Sequence, residues 1–542
     1  MLPMLLFSVA RAACPTFAEP SDDWAAPASD VLAAASDARA ALERYAFPAQ
    51  MDEKGRTGVR TDGLLIVRDG DILYERYGRD WTAAQPHLQW SVTKAFAATM
   101  VGMAVLDGSL DVDASICDSI DVPNPDACAI TTRNLMEHGS GLAWRETYEG
   151  SPPTASSIVG MLYGGGKQDM ASFVAGHALR DVPGTTYSYS SGDTMVQTAV
   201  AHAHLQKNSG DDYLNTRLFG PLGIQSAEYE VDGSNVPIGA SSLYLTPRDM
   251  ARFGAFLLQD GCWDGQRLLP EGWVARATTP ASTIDGKHVG KLTGALPGWD
   301  LWLNRTHPRV NGGNVPWPAA PESTFAAFGH WRQSIFVLPE HGIVIARTGD
   351  DRDSTFQRNT FLSLVIAYVE ALPARRPMAT APVVPEAAVD TTAGPPPASG
   401  DAHAETEADT ATDGDAGTDG DAGTDAIGEP EPVADTPSRG FTPAAFPPPP
   451  LKALVPTGST PPDKYDVGLL SIGTSFAALH GCACRYISKR SKEACVDYIR
   501  IQPDIARARF DDETQTVTAR AFGMAKTKAR PGPDGTGCRL VD

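Results

Sequence analysis

At 542 residues the chain is longer than one hydrophobic core usually supports, so two or three units are expected. The formal net charge of -21 is largely local, because twelve acidic residues and no Lys or Arg lie between Asp401 and Asp435. Nothing is basic enough to bind nucleic acid, and beyond the first residues no apolar run is long enough to span a bilayer.

Residues 1–13 combine a short apolar core with the small-residue site Ala10-Arg11-Ala12, and read as the tail of a secretory signal lacking its basic start. A lipoprotein signal cleaved before Cys14 is the less favoured alternative, since Arg11 sits badly for it. Either points to a periplasmic or secreted protein, and eight cysteines agree with an oxidising compartment. From Asp30 to Tyr45, Val31, Leu32, Ala35, Ala38 and Leu42 fall at helical spacing. A hairpin is expected next, with Leu64–Arg68 and Ile72–Tyr77 turned by Asp69-Gly70.

Gln89-Trp90-Ser91-Val92-Thr93-Lys94 then opens a helix-forming run that ends at Gly108. Ser91 and Lys94 would share one helical face, a hydroxyl beside an amine that could take its proton if burial lowered the amine's pKa. Cys117 and Cys128 flank a turn-rich loop that could bring their sulfurs together. Helical patterns broken by long loops fill residues 110–300, where Thr246 caps a helix with Pro247 in its first turn. A second hairpin follows, Ser334–Leu338 and Ile343–Arg347 around Pro339–Gly342.

Residues 373–462 turn to Pro, Ala, Thr, Asp and Gly and read as a disordered linker. Its Asp-Gly repeats lack the bidentate Glu of a calcium loop. Residues 463–542 regain patterning and carry Cys482, Cys484, Cys495 and Cys538. No C-x-x-C pair or His couple supports zinc, so disulfides are favoured, in a pairing that the sequence leaves open.

Two further motifs bear on Ser91. Pro183-Gly184-Thr185-Thr186-Tyr187-Ser188-Tyr189-Ser190-Ser191-Gly192-Asp193 places a tyrosine on a turn among small hydroxyl residues, where it could pass a proton to a leaving group. Gly329-His330 precedes the strand Ser334–Leu338, where a glycine lets a substrate carbonyl approach and the next N–H could donate to an oxyanion.

The order S-x-x-K, P-G-x-x-x-x-Y-S-S-G-D, T-x-x-D-M-A-R-F-G and G-x-x-x-Q-x-I-x-V-x-P resembles the serine beta-lactamase-related hydrolases. These include class C beta-lactamases, D-alanyl-D-alanine peptidases, esterases and 6-aminohexanoate-dimer hydrolases. The resemblance covers roughly residues 50–370. It implies an α+β fold, an antiparallel sheet flanked by helices with an inserted helical region. The expected division is a hydrolase domain over 46–372, the linker 373–462 and a small disulfide-rich C-terminal domain over 463–542.

By motif, the resemblance makes Ser91 the nucleophile, Lys94 its base and Tyr189 the proton carrier. The backbone N–H groups of Ser91 and His330 would form the oxyanion hole, and Tyr148, Ser191, Gly329 and His330 would line the substrate site. Neither metal nor cofactor is called for. Two departures favour the aminohexanoate-dimer hydrolase and esterase branch: Ser191 stands where class C enzymes have the Asn of Y-x-N, and Ala327-Phe328-Gly329 replaces K-T-G. Arg332 or His330 would have to replace the missing lysine for a beta-lactam carboxylate. The expected substrate is a small ester or amide. A D-alanyl peptidase or beta-lactamase is the alternative, and a non-catalytic binding homologue with an adhesive tail is the second. The tail's partner is not legible.

Overall fold

The computed structural model describes residues 14, 33–49, 52, 55–148, 152–284, 294–308, 310–373, 458–500, 504–533 and 536–541. The expected signal segment 1–13, and the linker with its Asp-Gly repeats from 374 to 457, lie outside the described residues.

The helices of the larger body include α1 (Ser36–Ala46), α2 (Thr93–Leu106), α3 (Ser191–Ser209), α4 (Pro247–Leu258) and α5 (Arg358–Ala371). Its main sheet is built from β1 (Thr61–Arg68), β2 (Asp71–Tyr77), β3 (Leu296–Pro297), β4 (Trp302–Leu303), β5 (Phe325–Phe328), β6 (Ser334–Leu338) and β7 (Ile343–Gly349). The spatial order is β2-β1-β7-β6-β5-β4-β3, with every neighbouring pair antiparallel. The expected hairpins thus meet along β1 and β7, where Leu65 lies opposite Ala346 and Ile66 opposite Ile345. Asp69 and Gly70 take φ of 49° and 87°, the left-handed pair that a two-residue hairpin turn requires.

Alternation along the strands builds two cores. Leu65, Val67, Ile335, Val337, Val344 and Ala346 face α2, α3 and α4. Leu64, Ile66, Phe336, Leu338, Ile343 and Ile345 face α1 and α5. Burial on both faces explains why these strands read as continuous apolar runs. Thr246 caps α4 as expected, accepting a hydrogen bond from the Asp249 N–H.

The C-terminal residues fold as α6 (Leu469–Cys482) and α7 (Lys492–Tyr498), with the antiparallel sheet β8 (Arg507–Asp511), β9 (Thr516–Ala521), β10 (Ala525–Pro531) and β11 (Cys538–Val541). They share a core with the larger body, in which Leu88 and Tyr244 pack with Ala477, Ala478, Val517 and Ala529. Polar ties reinforce this seat. Tyr163 Oη and His480 Nε2 are 2.9 Å apart, Tyr465 Oη meets His177 Nε2 at 3.0 Å, and Arg490 donates to the Arg79 carbonyl at 3.1 Å.

Four disulfides use all eight cysteines: Cys14–Cys262, Cys117–Cys128, Cys482–Cys538 and Cys484–Cys495. The second is the pair expected from the sequence, and the last two settle the C-terminal pairing. The first corrects the lipoprotein alternative, because the Cys14 sulfur bonded to Cys262 is not free to carry a thioether-linked lipid. No helix among the described residues is long and apolar enough to cross a membrane. Four disulfides are what an oxidising, extracytoplasmic compartment permits.

Two outcomes follow. A peptide map of the unreduced protein should recover Cys482 with Cys538 and Cys484 with Cys495, and the crossed pairs would refute this connectivity. Truncation after residue 373 should expose Leu88 and Tyr244 and lower the melting temperature by several degrees or more, while an unchanged melting curve would show that the shared core contributes nothing.

Candidate active site

Ser91 sits in the 3-10 turn Trp90–Val92 that leads into α2. Trp90 has φ of 49°, a left-handed conformation that costs a bulky residue on the order of 1–3 kcal/mol unless its surroundings hold it. The surroundings are aromatic: ring centroids of His480, Trp331 and His330 lie 5.2, 5.4 and 5.5 Å from that of Trp90. Gly329 follows β5 and crosses the backbone just ahead of Ser91. A Cβ at Gly329 would stand 2.2 Å from the Gln89 carbonyl oxygen, so only glycine lets His330 come this close to the nucleophile turn.

One turn along α2, Lys94 is 2% exposed. Its Nζ lies 2.7 Å from the Ala240 carbonyl, 3.0 Å from Ser191 Oγ and 3.3 Å from Ser91 Oγ. Burial lowers its pKa to about 8, against the opposing pull of Glu146 and Asp300. That makes it an amine able to accept a proton near neutral pH.

Tyr189 projects from the turn before α3 into the cavity that Ser91 lines, and the Lys94 Nζ lies 5.2 Å from its ring centroid. Burial, followed by the Glu146 charge, raises its pKa, so it is a neutral phenol. Its ring stacks on Trp302 at 5.9 Å and lies 4.8 Å from His138. With Pro297, Leu301 and Asp300, these residues line a narrow cavity at Ser91. Burial and Lys94 lower the His138 pKa to about 3, leaving a neutral imidazole. Burial raises the Asp300 carboxyl, which Gln197 Nε2 binds at 2.8 Å. The molecule's larger cavity, with Arg248, Asp249 and Lys489 in its wall, shares no lining residue with this one.

Ser191 is the first residue of α3 and stands between Lys94 and Glu146, its Oγ donating to Glu146 Oε1 at 2.7 Å. Tyr148 donates its hydroxyl to the same oxygen at 2.5 Å. Its ring is 39% exposed and lies 5.3 Å from the His330 ring, so the two form one side of the mouth. All the residues expected at the site are thus brought together around Ser91. Arg332 is turned to another partner, donating to the Asp353 carbonyl at 3.4 Å.

Glu146, Asp300, His138, Trp302 and the Ala240 carbonyl were not anticipated. Glu146 stands two residues before Tyr148, and a carboxylate at that spacing was the available signal. Trp302 lies on β4 and the others in turns, none of them within a motif. Among the described residues no group of His, Cys, Asp and Glu is arranged to hold a metal ion.

The chain has relatives among known proteins. Over residues 44–360, more than half of the chain, it matches the family model described as beta-lactamase. It is 24% identical over 267 residues to the 6-aminohexanoate-dimer hydrolase of Paenarthrobacter ureafaciens, a match spanning 44% of this chain and 62% of that protein. Solved structures with similar folds include a penicillin-binding protein homologue from Caulobacter crescentus, at 16% identity and TM-score 0.46 over 64% of this chain and 99% of that one. A family VIII carboxylesterase matches at 16% identity and TM-score 0.47, covering 64% and 98% of the two chains. With the family model covering the body that holds Ser91, Lys94 and Tyr189, the chain belongs to the beta-lactamase family.

Proposed function

We propose that the protein is an exported serine hydrolase that cleaves a small ester or amide through an acyl-enzyme. The observation that carries this reading is the buried Lys94 amine, 3.3 Å from Ser91 Oγ and lowered to about 8. Ser91 Oγ attacks the substrate carbonyl carbon as its proton passes to Lys94. The oxyanion that forms is held by the backbone N–H groups of Ser91 and His330, each such donor being worth about 3 kcal/mol in comparable sites. Tyr189, a neutral phenol beside Ser91, donates its proton to the leaving group as the carbonyl–heteroatom bond breaks, and regains one from Lys94. Water then adds to the acyl-enzyme and releases the acid.

Substrate charge follows from the lining. Lys94 is the one Lys or Arg among the residues lining the cavity, while Asp300 lies in the wall and Glu146 behind Ser191. Arg332 donates to the Asp353 carbonyl, so among the described residues lining the cavity only the Lys94 base could meet the carboxylate of a beta-lactam or a D-alanyl peptide. An uncharged or amine-bearing substrate suits this lining better, which supports a small ester or amide over a beta-lactam. Tyr148, on the mouth beside His330, would contact the acyl or leaving group.

Ser91→Ala should abolish covalent labelling by a serine probe and lower hydrolysis of a short-chain nitrophenyl ester by on the order of a thousandfold or more. Unchanged turnover in that variant would end the proposal. Across the nitrophenyl ester, an aminohexanoate dimer and a chromogenic cephalosporin, the cephalosporin should be slowest; if it is the fastest, the charge argument fails. Because protonated Lys94 cannot accept a proton, kcat/KM should fall as pH drops through about 8, the value to which burial lowers it. An activity level that holds to pH 5 would rule out Lys94 as the base.

A further inference from the structure

Glu146 accepts four hydrogen bonds and has no donor role in any of them. Trp144 Nε1 donates to Oε2 at 2.6 Å and the Ser191 N–H to the same oxygen at 3.0 Å. Ser191 Oγ donates to Oε1 at 2.7 Å and Tyr148 Oη at 2.5 Å. The Ser191 hydroxyl has a single proton, so once that proton is given to Glu146 its oxygen can only accept from Lys94. The Ala240 carbonyl can likewise only accept. A neutral amine has two N–H donors and one lone pair. With both donors engaged by Ala240 and Ser191, the lone pair is left for the third neighbour, Ser91 Oγ.

We propose that Glu146 is a positioning residue that aims the Lys94 lone pair at Ser91 by fixing the Ser191 hydroxyl. It belongs to the acyl-transfer reading above and rests on it. Its charge also acts on Lys94 directly, favouring the protonated amine. Without it the amine would be easier to deprotonate but poorly aimed, because the Ser191 proton could rotate toward Lys94 and claim the lone pair. Among the described residues, the other titratable groups of this neighbourhood are Asp300 from the β3–β4 turn, His138, Tyr187, Tyr189 and Tyr148, with Asp193 on α3 acted on by the Glu146 charge. Each is present unchanged in a Glu146 variant, so a difference between variants reports Glu146.

The test is the rate at which a fluorophosphonate phosphonylates Ser91, with loss of fluoride, in the full-length protein from pH 5 to pH 10, followed by intact mass. Glu146→Gln keeps the size and removes the charge. Its acid limb should move to lower pH by roughly one unit, the size of effect a nearby charge exerts, while the high-pH plateau falls about tenfold. A residue that only held the fold would lower the plateau and leave the limb in place. Glu146→Asp keeps the charge and withdraws it, so the plateau should fall with no comparable shift of the limb. Melting curves on both variants separate unfolding from either effect. A labelled wild type whose limb does not move in Glu146→Gln overturns this proposal alone. A wild type that is not labelled at Ser91 overturns the acyl-transfer reading and this proposal together.

Discussion

A lysine amine buried inside the protein is the constraint on which the rest depends. An isolated ammonium buried in the interior is strongly disfavoured, so the group is tolerated only where acceptors surround it or where it gives up its proton. Lys94 does both. The Ala240 carbonyl, Ser191 and Ser91 occupy its three directions, and burial makes the neutral form accessible. Each partner comes from a different part of the chain: the turn that opens α2, the first residue of α3, and the loop leading to Leu243–Leu245. The sheet buried on both faces gives these elements a rigid common support.

The second organising feature is the turn at Trp90. A tryptophan in the left-handed region persists only where neighbours over-determine it, and here they come from two segments distant in sequence: His330 and Trp331 from the β5–β6 connection, His480 from α6. The C-terminal segment has its own sheet and two disulfides, yet it reaches within van der Waals range of the residue preceding the nucleophile. That arrangement makes an independent adhesive appendage a poor description of it. Leu88 and Tyr244, core residues shared with the segment, would otherwise present apolar surface beside the active-site turn.

Much of the catalytic body was legible because its signals are local. The two hairpins carry apolar runs of strand length joined by turn residues, and α4 shows its cap and proline in order. Cys117 and Cys128 are separated by 11 residues in sequence, short enough to read as a closed loop. Cys14 and Cys262 are separated by 248, and no local pattern relates them. Glu146, Asp300 and His138 were missed for a similar reason. A carboxylate or imidazole acquires its role from what surrounds it, and the surroundings of these three are assembled from distant segments.

The sequence by itself determined the chemistry on offer: a serine and a lysine one helical turn apart, a tyrosine on a hydroxyl-rich turn, a glycine beside an apolar strand. Side-chain type and spacing along one element suffice for that. Only the tertiary structure decided how the chemistry is poised. Whether Lys94 is buried, which atoms take its two protons, where Arg332 points and what holds Trp90 in a strained turn are properties of contacts between segments far apart in the chain. Burial and hydrogen bonding, which set pKa values and lone-pair direction, exist only once those contacts have formed.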